Sequence, residues 1–548
     1  LKRFRPALLT TATLLALAPA TSPAPAHAAP AGNDEPLELE AEVTASDAQL
    51  EQWLTEGTAA AKSGNHGLAA QRMHDLLTQA PPDSPLIPEA TFQAGLALFK
   101  LGLLQSAFVQ FERVVDAGEG HPRYGETLRY LLQIARKTGN DPSVMLRIAE
   151  YSASSYPAEE ADELNFLVGQ FQYNEEALDD ALARFEAVSP RFPQIFARAS
   201  YLKGVIHVAK SRLGSDKDVD ADRLTQAADA FKAVIRLRDE DDSDLVVRIA
   251  DEATLALGRL FFSTRQYDVA VRYYDAIDAE NPRWLEAVNE AAWVHFQLKN
   301  YGKSLGLLHT VNSPYFADQY YPETRVLQAL ILFYNCRYDD ADAIVKTFVA
   351  DYYPLMNQFR AEINQFGDPN AFYAWLAKLS SDNSGEYSAR FKRIFNAALA
   401  DKKLRRKFEV VTNLNRELSQ LDALAKKGAD PRFIASLKGD VESYRALVVG
   451  EAGALAQSRL VRVNKDLQRH LASALKIKGE TLRARRGDIS NAAAEEQAAA
   501  SQAYKPISVD AEHVAWPFDG EYWRDELGFY IYDLESRCAT PSGDGPTP

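Results

Sequence analysis

Cysteine is almost absent from this chain of 548 residues, with Cys336 and Cys538 the only two. So few thiols exclude a disulfide-dense scaffold and the four-cysteine zinc modules. In an oxidising compartment the two can pair, tying the C-terminal tail to the middle of the chain; otherwise they are two separate buried thiols. Long apolar runs are also missing, and nothing approaches the roughly 20 residues that a membrane-spanning helix needs. A positive excess is missing as well: the net charge is −15, which speaks against general nucleic-acid binding.

Catalytic signatures are equally scarce. There is no Gly-rich phosphate loop, no His-Glu-x-x-His, no Cys-x-x-Cys and no Gly-x-Ser-x-Gly. The nine histidines are scattered, and His66 and His74, eight apart, make no ligand cluster. Gly118-Glu119-Gly120 precedes His121-Pro122 with no strand before it and reads as a linker. The acidic pairs at Glu159-Glu160 and the run at residues 239–242 read as loop or surface charge. The sequence therefore assigns no catalytic, cofactor-binding or metal-ligating residue, and predicts a protein that is not an enzyme.

What is present is core material: 46% hydrophobic residues, with 26 Phe and 24 Tyr. The first 28 residues stand apart. Lys2, Arg3 and Arg5 precede a short apolar run, and Ala26-His27-Ala28 fits a signal-peptidase site, so residues 1–28 are expected to be a secretory signal. No cysteine follows that would carry a lipid anchor. A linker at 29–49 leads into the folded part, and a periplasmic or secreted location is the expectation.

From residue 50 to 354 one skeleton recurs, at markers 34 to 38 residues apart. A small residue is followed about a dozen positions later by an alanine, then four later by an aromatic, then by a proline. Gly258, Ala270, Tyr274 and Pro282 make the clearest copy. Gly95, Ala107 and Phe111 repeat it, as do Gly169, Ala181 and Phe185; Gly57 with Ala69 and Ala329 with Ala341 are partial copies. The small residue lets a second helix approach the first, the alanine sits at the crossing, and the aromatic lies one turn further on the same buried face. The proline ends the second helix.

This skeleton resembles the tetratricopeptide repeat family, with its 34-residue period and Leu-Gly…Tyr…Ala…Phe…Pro pattern. The resemblance covers about eight units. It implies an all-α helical solenoid whose concave groove binds a segment of a partner protein. The looser spacing leaves an irregular helical array of another type as the alternative.

Residues 355–400 read as a helical cap over the open end of the array. Residues 401–503 form a long helical arm. There Leu404, Phe408, Val411, Leu414, Leu418 and Leu421 recur at threes and fours, and Leu460, Val463, Leu467, Leu471 and Leu475 do so again after a break at Gly428 to Pro431. A hairpin within one chain and a homodimer both satisfy this pattern. Between residues 401 and 488 the balance is +9, which fits either contact with an anionic membrane surface or a solvated face.

The tail, 504–548, is aromatic. Trp516, Phe518, Tyr522, Trp523 and Tyr530 either wrap back on the helices or anchor a partner, and the alternation of Tyr530, Tyr532 and Leu534 predicts a short strand. Trp516, Pro517 and Phe518, residues 520–527, and Arg537-Cys538 resemble the tails of periplasmic tetratricopeptide-repeat proteins of gliding myxobacteria and related bacteria. That resemblance implies an envelope scaffold linked to motility or outer-membrane assembly. The expected function is thus a non-enzymatic periplasmic scaffold for protein partners. An enzyme with a site after residue 355, and a structural oligomer held by the arm, stand as alternatives.

Overall fold

The structure is a computed structural model describing residues 45–151, 153–211, 220–317, 319–381, 387, 389–487 and 517–538. The expected signal, most of the linker, Trp516 and the last ten residues lie outside that set. Among the described residues there are twenty α-helices and no strand, so the fold is all-α.

Eight helix pairs come first: α1 (Asp47–Lys62) with α2 (His66–Gln79), α3 (Ile87–Leu101) with α4 (Leu104–Asp116), α5 (Tyr124–Thr138) with α6 (Pro142–Ala149), and α7 (Ala161–Asn174) with α8 (Leu178–Glu186). The series continues with α9 (Pro193–Lys210) and α10 (Ala221–Leu237), α11 (Asp244–Ser263) and α12 (Tyr267–Asp275), α13 (Trp284–Gln297) and α14 (Tyr301–Val311), α15 (Pro322–Tyr334) and α16 (Tyr338–Gln365). Then follow α17 (Pro369–Ser381), α18 (Ala389–Leu399), α19 (Lys402–Lys426) and the long α20 (Pro431–Arg485). The chain divides into two compact units. Among the described residues, the first holds 45–189 together with 405–451; the second holds those of 190–404 and of 452–538.

Within each pair, the packing follows the residue types. A Cβ placed on Gly95 would stand 2.7 Å from the Phe111 ring, on Gly169 2.8 Å from Phe185, on Gly204 2.5 Å from Phe231, and on Gly258 2.9 Å from Tyr274. The aromatic ring therefore lies directly over the glycine, in the space that a side chain would take. In the first pair Met73 stands in for the ring, 2.6 Å from a Cβ on Gly57. Ala69, Ala107, Ala181, Ala270 and Ala341 are fully buried beside these contacts.

The turns inside seven of the pairs, all but that from α9 to α10, which lies mostly outside the described residues, share one device, a residue in the left-handed region. Gly64 and Gly102 take it where the sequence has glycine, but Glu176, Arg265, Lys299 and Cys336 take it elsewhere, with φ of 68°, 63°, 59° and 55°. Such a conformation costs a residue with a Cβ on the order of 1 kcal/mol. It persists because the two helices that the turn joins are locked by packing.

Two expectations need correction. Pro354 does not end the last second helix, since α16 runs through it to Gln365. A proline inside a helix costs about 3 kcal/mol, and burial of Leu355, Met356 and Phe359 offsets this. Phe359 goes on to pack against Phe391 of α18, ring centres 5.0 Å apart. Leu475 does not belong to the buried seam of α20; the seam runs through Leu467, Leu471, Ala474 and Ile477, and Leu475 faces outward. Two successive steps of four, from Leu467 to Leu471 to Leu475, rotate about 80° round a helix of 3.6 residues per turn, while Ala474, seven residues after Leu467, stays on the seam.

In the first unit, α19 and the early part of α20 form an antiparallel hairpin. Lys407 pairs with Glu451 at 2.6 Å, Asn415 with Arg445, and Asp422 with Lys438. The partners climb one helix as they descend the other, so this seam closes within one chain.

Candidate partner-binding site

In the second unit the described tail, residues 517–538, lies as a strap across α14. Glycine makes the close approach possible: a Cβ on Gly306 would fall 1.8 Å from the carbonyl oxygen of Tyr530, and one on Gly302 2.7 Å from that of Tyr532. Polar bonds run along the strap. The Gly528 amide donates to Thr310 Oγ1 at 2.9 Å, Lys303 Nζ donates to the Gly528 carbonyl at 3.0 Å, and the Tyr532 amide donates to the Gly302 carbonyl at 3.0 Å. The far end is tied by the Arg537 amide on the Asn335 carbonyl and by a Cys336–Cys538 disulfide.

Three of the tail aromatics gather around one histidine, Tyr522 and Tyr530 half-buried and Phe518 46% exposed. The rings of Phe518, Tyr522 and Tyr530 stand 4.6, 4.8 and 4.9 Å from that of His309, with Tyr522 stacked on it. Burial, with Arg325 adding to it, holds His309 below the usual histidine range, so the neutral imidazole packs as one more ring. Leu527 and Leu534 are buried too. The outer surface of the strap is also apolar: Phe529 is 77% exposed, Trp523 58% and Ile531 50%. Around them are the exposed acids Asp519, Glu521, Asp525, Asp533 and Glu535, against Arg524 and Arg537.

The predicted strand at Tyr530, Tyr532 and Leu534 is not formed. Successive side chains alternate there, but the neighbour is a helix whose carbonyls are already used, and it offers one bond where a strand would offer a ladder. Gly302 and Gly306, four apart in α14, were the missed signal. Each glycine costs a helix about 1 kcal/mol against alanine, and two on one face mark a place where another backbone lies close.

The helix pairs, with an aromatic ring seated over a glycine, are matched by a family profile. The profile described as tetratricopeptide repeat fits residues 54–122, 215–283 and 255–308. The stretches at residues 54–122 and 215–308 are thus tetratricopeptide repeats. Among solved structures it is similar to a tetratricopeptide repeat protein from Parabacteroides merdae, 12% identical, covering 55% of this chain and 93% of that one at a TM-score of 0.24. The apo form of RapI is also 12% identical, covering 66% and 98% at 0.34, and yeast Tom70 is 11% identical, covering 82% and 99% at 0.19. No curated protein matches the chain.

The tetratricopeptide pairs of the second unit also carry a buried charge network. Arg259 of α11 reaches across to α13, bonding Glu290 through Nη2 at 2.7 Å and through Nε at 2.9 Å, and contacting Glu286. Tyr274, whose ring covers Gly258, bonds to Glu290 as well. Burial raises the Glu290 carboxyl despite the Arg259 charge beside it. On α15, Glu323 is wholly buried, with Asn289 Nδ2 donating to it at 3.3 Å, and desolvation pushes it up to about 7.

In the first unit a buried carboxylate of the hairpin binds the array at the start of α4. Glu417 of α19 accepts from the backbone amides of Gln105 and Ser106 at 2.8 and 2.9 Å, and from Ser106 Oγ at 2.7 Å. These are orphan donors at the start of α4, whose own N-cap residue, Leu103, has no side chain able to serve. A residue more than 300 positions away thus caps this helix, and no local sequence signal marks it. Tyr444 OH adds a bond to Asp141, the N-cap of α6. Glu417→Ala is expected to cost about 2 kcal/mol locally, speeding amide exchange at Gln105 and Ser106 and proteolysis at the turn between α19 and α20. Unchanged exchange at those two amides would count against the cap.

Among the described residues no group of three or more His, Cys, Asp or Glu is placed to hold a metal ion, and no helix is long and apolar enough to cross a membrane.

Proposed function

We propose that this protein is a non-enzymatic scaffold of the bacterial cell envelope, working outside the cytoplasm and holding protein partners together in an assembly, transport or motility complex. Tetratricopeptide arrays support the protein-binding part of this reading. The secretory signature of residues 1–28 and the Cys336–Cys538 pair fit an oxidising compartment. The resemblance of the tail to periplasmic proteins of gliding bacteria agrees with both.

The observation that carries the proposal is the outer face of the strap. Trp523, Phe529 and Ile531 stand exposed on a backbone already fixed by hydrogen bonds, ring packing on His309 and a disulfide. A partner that binds there loses little conformational freedom in the scaffold, and exposed Trp and aromatic side chains are the usual anchors of an interface. The acidic surround, six acids and two bases between residues 517 and 538, selects an apolar segment flanked by Lys or Arg.

Crosslinking in the envelope of the source cell, followed by mass spectrometry, tests this with W523A/F529A beside the parent chain. The parent should capture a defined protein through the strap. The double variant should retain its helical content and bind that protein about tenfold or more weakly, as loss of two anchors implies. Capture of the same proteins in the same yield would overturn the role given to the strap.

A further inference from the structure

The second unit carries a strongly charged feature that the strap does not use. From residue 458 to 483 one row of exposed positions on α20 falls at 458, 462, 465, 469, 472, 476, 479 and 483, with Arg486 one residue past the helix end continuing the spacing. Steps of three and four residues trace a single face of one helix. Six of these nine positions are cations, Arg462, Lys465, Arg469, Lys476, Arg483 and Arg486, and the other three are Ser, Ala and Gly. No acid interrupts them. The opposite face is the buried seam of Leu467, Leu471, Ala474 and Ile477.

An ordinary solvated helix face mixes signs in near balance, whereas between residues 458 and 486 the only acids are Asp466 and Glu480. Asp466 pairs with Arg469 at 3.1 Å, Glu480 with Arg483 at 2.9 Å, and Asp339 with Arg485 beside the row at 2.6 Å; Lys476 also has an interaction partner. Surface pairs of this kind contribute little, and cations stay in excess along the row in a chain whose total is −15. From Arg462 to Arg483 it extends about 32 Å at the helical rise. Beside it lie two leucines that the fold leaves out, Leu475 at 49% and Leu482 at 43% exposure, seven residues apart and so on the same side.

We infer that this face of α20 docks on an anionic lipid surface. A straight row of cations on one helix meets a flat sheet of headgroups along its whole length, whereas a compact anion would touch only two or three of them. The leucines decide between lipid and a hydrophilic polyanion, since only a bilayer offers them an apolar phase at the depth of the cation row. The scaffold would then lie along a membrane while its strap stays free for a protein.

The test uses the full chain and sedimentation with vesicles. Phosphatidylcholine vesicles containing phosphatidylglycerol should bind it, phosphatidylcholine alone should not, and added salt should weaken binding. K465Q/R469Q/K476Q/R483Q should lower partition by about a hundredfold or more. Circular dichroism should confirm its helical content. L475S/L482S, which keeps every charge, should reduce vesicle binding several-fold and leave retention on dextran sulfate beads unchanged. Equal binding to neutral vesicles, or undiminished binding by the fourfold variant, would overturn the inference. So would retention on dextran sulfate without binding to phosphatidylglycerol vesicles, which would mark a site for soluble polyanions.

Discussion

Cys538→Ser, or reduction of the disulfide, is expected to destabilise the second unit by as much as about 5 kcal/mol, the chain-entropy value for a crosslink closing a loop of this size. The two cysteines are 202 positions apart, so the unfolded chain without the bond gains a large set of open conformations. The loss will concentrate on the strap. With its far end released, the strap keeps the aromatic packing on His309 and its hydrogen bonds to α14, but every thermal opening now exposes Gly302 and Gly306 to water. Calorimetry with and without reductant should show a lower midpoint for one transition. Amide exchange should rise in residues 528–538 and on α14 before it rises in the first unit. A thermogram and exchange pattern indifferent to reductant would rule out a stabilising role for the crosslink. Reduction should also weaken any partner held by Trp523 and Phe529, giving a second readout tied to the proposed interface.

Arg259→Met should be nearly as severe at neutral pH. The guanidinium is the counter-charge for Glu290 and Glu286, and removing one member of a buried pair leaves the other ionised without compensation, at a cost of about 3–5 kcal/mol. The dependence on pH has a definite sign. Burial already raises Glu290 and Glu323 above the ordinary carboxylate value of 4.5, Glu323 to about 7. Their ionisation therefore opposes folding: the stability that they contribute is complete below 4.5 and is lost as pH rises through about 7. Without Arg259 the Glu290 carboxyl rises further, so the deficit of the variant should be smallest in acid and should widen toward pH 8. Thermal midpoints of variant and parent across that range, with exchange rates for α11 and α13, would measure it. A deficit that grew on acidification would refute the assignment of Arg259 as the neutralising group.

The repeat was legible in the sequence because its determinants are local. Gly258, Ala270 and Tyr274 fall within one helix pair, and their spacing is fixed by the helical period. That spacing does not say which atom meets which, and the ring lying over the glycine emerged only from the structure. The buried network was less visible. Arg259 and Glu290 are 31 positions apart in neighbouring pairs, and an arginine on a first helix reads as an ordinary surface charge. The trans cap was not legible at all, because Glu417 and Ser106 are separated by most of the array. The tail lay between these cases: its aromatic content was plain, but which rings turn inward depends on where α14 carries glycine. Leu475 shows the limit of counting leucines, since two steps of four in a row carry it off the face that Leu467 and Ala474 share.

The crosslink between Cys336 and Cys538 also shapes how the chain would carry tension. A pull applied ahead of the first repeat and beyond Cys538 passes from Cys336 directly to Cys538, and the intervening stretch, from α16 to the strap, lies off the force path. Stretching an oxidised molecule should extend only the chain outside that ring. Under reductant the same molecule should lengthen by a further 200 residues or so, on the order of 700 Å at full extension. A scaffold anchored at both ends would thus keep α20 and its strap in place while the earlier repeats took the strain.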